Sequence, residues 1–208
     1  MLIIVLRKRK YYDQIIIQKW LILTLLKNAF GGSSDTILKN LQDVINEQMD
    51  FSILPYEAMN RKLNIEPSFN ETEIDNLLAT NYSTKYSYLI LSLLYPDRDW
   101  KGKKFEEDHI FPKSEFTTAK LRYRGYDDSR IAEYQKYYNC ILNLELLTDT
   151  ENREKSAEQF DTWFANRDNN FKDRHFIPTI HSYTFDNFLD FISERKKLLV
   201  AKLKTFAI

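Results

Sequence analysis

The chain has 208 residues with 30 Lys and Arg against 30 Asp and Glu, so its formal net charge is zero and no global positive field marks it as a nucleic-acid binder; a polyanion site has to be local. Hydrophobic residues at 43%, charged residues at 29%, and only 4 Gly and 5 Pro exclude disordered and collagen-like chains and predict a globular, helix-rich protein with a sizeable core. One cysteine, Cys140, excludes an intramolecular disulfide framework and Cys-rich zinc sites, and is what a reducing cytoplasm tolerates.

The N-terminus reads Met1-Leu-Ile-Ile-Val-Leu6 and then Arg7-Lys8-Arg9-Lys10, the reverse of a signal peptide's charge order. The apolar run 21–26 lies between Lys19 and Lys27 and is too short to span a bilayer, so a cytoplasmic protein without membrane contact is expected. Over 11–30 the positions Ile15, Ile16, Trp20, Leu23, Leu26 and Phe30 recur at helical spacing, with Gly31-Gly32 as the stop. Ser34 or Asp35 caps a second amphipathic helix over 36–48, striped by Ile37, Leu41, Val44 and Ile45. Pro55, the Asn70-Glu71-Thr72-Glu73 entry to Leu78, and the run 86–94 before Pro96 predict three more short helices.

The charged, aperiodic stretch 96–104 predicts a module boundary after a helical region 1–95. Beyond it, 105–111 and 140–147 are apolar stretches too brief for helices and read as the strands of a hairpin with a long insertion, 116–139, between them. Helical spacing returns over 152–163. The longest amphipathic helix is predicted over 185–206, with Arg195, Lys196, Lys197, Lys202 and Lys204 as ordinary solubilising charge on its polar side. The expected fold class is α+β, predominantly helical, with a hairpin-and-helix core over 96–165 and a C-terminal loop and long helix, 166–208, packing on it.

The polar residues of the predicted strand, loop, strand and helix form a set: Asp108-His109-Ile110-Phe111-Pro112, then Asn143, then Asn152 with Lys155. Asp and Asn are hard oxygen donors that can share a Mg²⁺ or Mn²⁺, which in turn can hold a phosphate oxygen. Successive strand residues point to opposite sides, so Asp108 and His109 do not bind the same ion, and His109 is left to address a water. That chemistry is metal-assisted phosphodiester hydrolysis.

Asp108-His-Ile-Phe-Pro-Lys-Ser114, Asn143-Leu-Glu-Leu-Leu-Thr148 and Asn152-Arg-Glu-Lys-Ser156 resemble the ββα-metal HNH nucleases. The surrounding text, Phe30-Gly-Gly-Ser-Ser-Asp35, Ile90-Leu-Ser-Leu-Leu-Tyr-Pro96, His175-Phe-Ile-Pro178 and the run 188–199, is similar to the C-terminal half of GmrSD-type modification-dependent restriction proteins. The resemblance implies an HNH endonuclease acting on DNA, modified DNA included, in restriction or phage defence. It implies His109 as general base, Asn143 beside it in the catalytic set as the residue holding the loop geometry, Asp108 and Asn152 as ligands of Mg²⁺ or Mn²⁺, and Lys155 as a phosphate contact. The family's other half, a ParB-like NTPase sensor, has no matching motif here, so the expected protein partner is a separate sensor subunit or a second copy of the chain, covering the apolar surface of 1–26.

Each assignment has a plainer rival: His109 as a core histidine, Asp108 as a turn residue, Asn152 as a helix cap, Lys155 as solvated charge. The rival for the whole chain is a non-catalytic, nuclease-derived module that binds DNA or the sensor. His175 and His181 lie outside the motif without metal-ligand spacing, so zinc is not expected, and His175 reads as a packing or capping residue. Interleaved cations and tyrosines in 116–139, among them Arg122 and Arg124, together with Lys113, read as phosphate or DNA contacts. Against this, Tyr134, Tyr137 and Tyr138 sit at helical spacing that also suits a buried face.

Overall fold

A computed structural model describes residues 14–48, 53–95, 102 and 104–208; the apolar and basic run 1–10 and most of the predicted 96–104 connector lie outside them. The described chain is mostly helical with one two-stranded antiparallel sheet. It divides into two compact units, residues up to Asn70 with Lys204–Ile208, and Glu71–Leu203.

In the first unit, helix α1 (Gln14–Leu26) stops short of Phe30 because Asn28 turns into the left-handed region at φ 53°, and its side chain occupies the space that a β-carbon on Gly31 would need. Helix α2 (Ser34–Asn46) and helix α3 (Tyr56–Leu63) face it through their apolar stripes. Trp20, Leu41, Ile45, Leu54 and Met59 form the buried cluster. The indole N–H of Trp20 donates to Asn60 Oδ1 at 2.8 Å, which satisfies the polar atom that burying a tryptophan brings inside. Ser68 bridges to Ala207, and Phe69 stacks on Phe206 at 5.6 Å.

The second unit begins earlier in the chain than the predicted boundary at 96–104. Helix α4 (Glu71–Leu78) and helix α5 (Ser87–Leu94) belong to it because the segment between them is stitched to the chain entering the second strand. Tyr82 N–H donates to Asn139 O at 2.7 Å and Ile141 N–H to Thr80 O at 3.0 Å. Strand β1 (Phe105–His109) pairs antiparallel with strand β2 (Leu144–Thr148), in register from Phe105↔Thr148 to His109↔Leu144. Between them lie helix α6 (Thr118–Tyr123) and helix α7 (Asp128–Tyr137), capped by Thr117 and Asp127 side chains, so the predicted inserted loop is itself helical.

Helix α8 (Asp149–Lys155) follows β2 directly and starts three residues before the predicted Asn152. Thr148 and Glu151 form a reciprocal capping box that fixes this start. Helices α9 (Phe160–Ala165) and α10 (Asn169–Arg174) lead to helix α11 (Phe188–Lys204). Phe111 sits at the centre of an aromatic core, with the rings of Phe160, Phe188 and Phe191 at 4.9, 5.3 and 5.1 Å. Arg195 corrects the expectation of a solubilising polar side on α11. It is fully buried and donates to the carbonyl oxygens of Ile141, Leu142, Leu144 and His175, so it ties the last helix to the backbone entering β2. No described helix is long and apolar enough to cross a membrane.

Candidate active site

Strand alternation divides β1 into two faces. Glu107 and His109 share one, Glu106 and Asp108 the other. Each face is completed by a different part of the chain.

On the first face His109 is 8% exposed. Its Nε2 lies 3.0 Å from Asn139 Oδ1, and its ring packs on Tyr82 at 4.7 Å. With the amide oxygen facing it, Nε2 carries the ring hydrogen and Nδ1 keeps the lone pair. Burial pushes the imidazole below its ordinary range, and the Asn139 hydrogen bond and the Asp108 charge only partly oppose this, so the ring is held neutral near pH 7. Glu107 is fixed beside it by the Ser87 hydroxyl at 2.8 Å and the Ser83 N–H at 3.0 Å.

The second face meets α8. Asn152 Nδ2 donates to Glu106 Oε2 at 2.6 Å, and one turn later the Lys155 ammonium pairs with Asp108. Glu106 and Asp108 are two residues apart on one strand face, and Asn152 and Lys155 are three apart on one helix face, so the contacts form parallel rungs with Asp108 and Asn152 at diagonal corners. Because a carboxylate only accepts, the Asn152 amide turns its nitrogen to Glu106 and its oxygen away. Glu106 is held below the usual carboxylate range by hydrogen bonds from Lys104 and Asn152. Asp108 is pushed above it by burial; Lys155 opposes the shift, and the charge of Glu145 directly across the sheet adds to it.

The carboxylates of Glu106 and Asp108 and the amide oxygen of Asn152 are hard oxygen donors of the kind that Mg²⁺ or Mn²⁺ takes. The residues on this face therefore fit such an ion in donor chemistry, with water completing its shell. Among the described residues no group of three or more His, Cys, Asp or Glu could hold a metal, so an ion here would use the Asn152 amide.

One sequence expectation is corrected. Lys155 is not a phosphate contact: its side chain is 1% exposed, and its three hydrogens go to Asp108, to the His109 carbonyl oxygen at 2.6 Å and to Glu145 Oε1 at 3.0 Å. Asn143, placed with His109 in the catalytic set, serves the other half of that expectation: its side chain is a brace that holds the loop geometry. Fully buried, it accepts from Phe111 N–H at 3.0 Å and donates to the carbonyl oxygens of Phe111 and Tyr138 at 3.1 and 2.7 Å, clamping the exit of β1 to the entry of β2.

Of the cations assigned to DNA, Arg122 pairs with Asp128 at 3.0 Å, while Arg124 pairs with Glu115 at 2.8 Å and lies over the Phe185 ring. Each has a local acid, which argues against a phosphate track on α6. Lys113, exposed just after the strand exit, is the cation of that set whose charge is felt at His109. Tyr134 is the buried face of α7, as its spacing allowed. His175 caps the end of α10 and stacks on Phe171 at 4.0 Å, the expected packing and capping role, and it also lies 2.8 Å from Glu145 Oε2. His181 is exposed.

Four residues of the site went unread in the sequence: Glu106, Glu145, Asn139 and Tyr82. Strand alternation places Glu106 beside Asp108, and hairpin register places Glu145 opposite it, so both were within reach. Asn139 and Tyr82 meet His109 only through tertiary contact. In comparisons with known proteins no family model matches the chain and no curated protein matches it, so the chemistry of this site rests on its own geometry.

Proposed function

We propose that this chain is a divalent-metal-dependent endonuclease of the HNH type that hydrolyses DNA phosphodiester bonds. The observation that carries the reading is the division of β1 into a face with a neutral, oriented imidazole and a face with oxygen donors completed by the helix after β2. Strand, strand and helix in that order, with Asp108 and His109 adjacent, is the arrangement that the resemblance to ββα-metal nucleases calls for. Similarity to GmrSD-type restriction proteins supports a role in restriction or phage defence, DNA (modified DNA included) as substrate, a ParB-like NTPase sensor as partner, and the cytoplasm as the place of work.

Asp108 and Asn152, with Glu106 beside them, would hold Mg²⁺ or Mn²⁺, which when bound supplies charge neutralisation at the phosphate and at the departing 3′ oxygen. His109 takes a proton from the attacking water at Nδ1 as the new P–O bond forms and the P–O3′ bond breaks. Asn139 fixes the ring through Nε2, and Tyr82 keeps bulk water from its face. Asn143 keeps Phe111 and β2 in register, so that the two faces stay aligned.

Cleavage of supercoiled plasmid by the purified chain tests this. Wild type nicks or linearises DNA with Mg²⁺ or Mn²⁺, EDTA stops it, and His109→Ala lowers the rate by about 10²-fold or more. Undiminished activity in His109→Ala would assign the base elsewhere. A folded, metal-binding protein that cuts neither plain nor modified DNA would favour the non-catalytic module.

A further inference from the structure

Behind Asp108 lies a run of buried ionisable side chains that the proposed chemistry does not use. Lys155 Nζ is shared between Asp108 on β1 and Glu145 on β2, residues directly opposite each other in the sheet. Two carboxylates in that relation repel, and the ammonium between them holds them in place. Glu145 is fully buried and its second oxygen is 2.8 Å from His175 Nδ1. The same ring nitrogen lies 3.3 Å from the Tyr95 hydroxyl, so His175 meets Glu145 as a close charge contact rather than through a directed hydrogen bond. The ring is itself fixed by its stack on Phe171 at 17° interplanar angle, and its carbonyl oxygen accepts from Arg195 at 3.1 Å. Burial alone would drive the Glu145 carboxyl upward, but Lys155 and His175 outweigh it and hold it at about 2, so the negative charge stays in the interior.

Stability gives little reason for such a run, because a buried ion pair exchanged for apolar residues of like volume is often neutral or favourable. Orientation gives one. An ammonium with all three hydrogens committed cannot rotate freely, and a carboxylate bound to it has one oxygen assigned and its plane set.

We propose that Glu145 and His175 are positioning residues for Asp108, acting through Lys155 to fix how that carboxylate is turned toward a bound divalent cation. The proposal rests on the metal-dependent function above and names outer partners of that same site. His175, at the end of α10, acts at two removes, through Glu145 and then Lys155.

Mn²⁺ binding by the full chain, followed by calorimetric titration or by the loss of the free-ion resonance signal, tests it without reference to cleavage. Glu145→Gln removes the charge and keeps the shape; His175→Leu removes the imidazole; His175→Asn keeps a polar N–H near the place of Nδ1. Outer partners of metal ligands typically change affinity by about 10- to 100-fold. The expected result is a loss of about tenfold or more for Glu145→Gln and His175→Leu, with most of it restored in His175→Asn. Leu199→Ala, a buried change on α11 outside this network, should lower the melting temperature and leave Mn²⁺ affinity at the wild-type value. If Glu145→Gln does not fold, the two His175 variants carry the comparison. Wild-type affinity in His175→Leu, or a loss in Leu199→Ala as large as in His175→Leu, overturns the positioning role and leaves the nuclease reading standing. No Mn²⁺ binding by the folded wild type overturns both.

Discussion

The two faces of β1 belong to one five-residue strand, yet they solve opposite problems. The Glu106 and Asp108 face gathers negative charge and counters it with Lys104, the Asn152 amide and a sequestered ammonium. The Glu107 and His109 face keeps its titratable ring uncharged by burial, with one amide and one tyrosine against it. Side-chain alternation makes the division possible, but the packing partner sets the electrostatics. Helix α8 brings a cation to one face, and Asn139 and Tyr82 bring an amide and a phenol to the ring on the other. A neutral imidazole and a pair of acidic side chains can thus be neighbours in sequence without neutralising each other.

The comparison breaks most severely at Lys155. Lys155→Met leaves Asp108 and Glu145 opposite each other without their shared counter-ion, and unfolding by urea should show a loss of about 3–5 kcal/mol. Next comes the orientation of the base. Asn139→Ala frees the His109 ring, and metal-dependent cleavage should fall about 10- to 100-fold with the fold intact by circular dichroism. Asn139→Asp places a carboxylate at the same position, which raises the imidazole's proton affinity, so the acid limb of the pH–rate profile should move to higher pH.

A smaller effect separates the faces by pH. His109 has a folded value below its unfolded one of about 6.5, so the folded state binds its proton less readily and stability falls as pH drops below that value; this loss should vanish in His109→Gln. Glu145 is shifted in the same direction, downward, and acts at lower pH. Held at about 2 against about 4.3 unfolded, it stabilises fully above pH 4.3, and that contribution is lost as pH falls toward 2, in wild type and His109→Gln alike. Urea titrations between pH 8 and pH 3 would resolve the two steps. Least of all should come from Arg122→Ala: the Arg122–Asp128 pair is exposed on both sides, and its removal should change stability by less than about 1 kcal/mol.

Much of this layout was legible in the residues. Period-2 alternation separated Asp108 from His109, and the Asn143 brace was expected as loop geometry. What escaped has physical causes. Thr148 and Glu151 carry a capping-box signature that moves the helix start to Asp149, but the apolar periodicity that drew the boundary begins later. Lys155 and Arg195 look like solvated charge because hydropathy knows nothing of acceptors arriving from elsewhere. Only the sheet register brings Asp108 and Glu145 to Lys155, and only the packing of α11 brings four carbonyls to Arg195. Asn139 and Tyr82 reach His109 through a backbone pairing between distant segments, which no local pattern encodes.

Arg195 has a consequence for the order in which the molecule is made. Its guanidinium closes over the carbonyls at 141, 142 and 144, the stretch that admits β2 to the sheet, from a helix near the end of the second unit. The β1–β2 pairing already spans the whole insertion, so it is a non-local, slowly formed contact. On the ribosome, Asp108 and His109 are synthesised well before the side chain that locks their frame. A nascent chain therefore carries both residues without their geometry, and the frame is complete only as α11 emerges and docks.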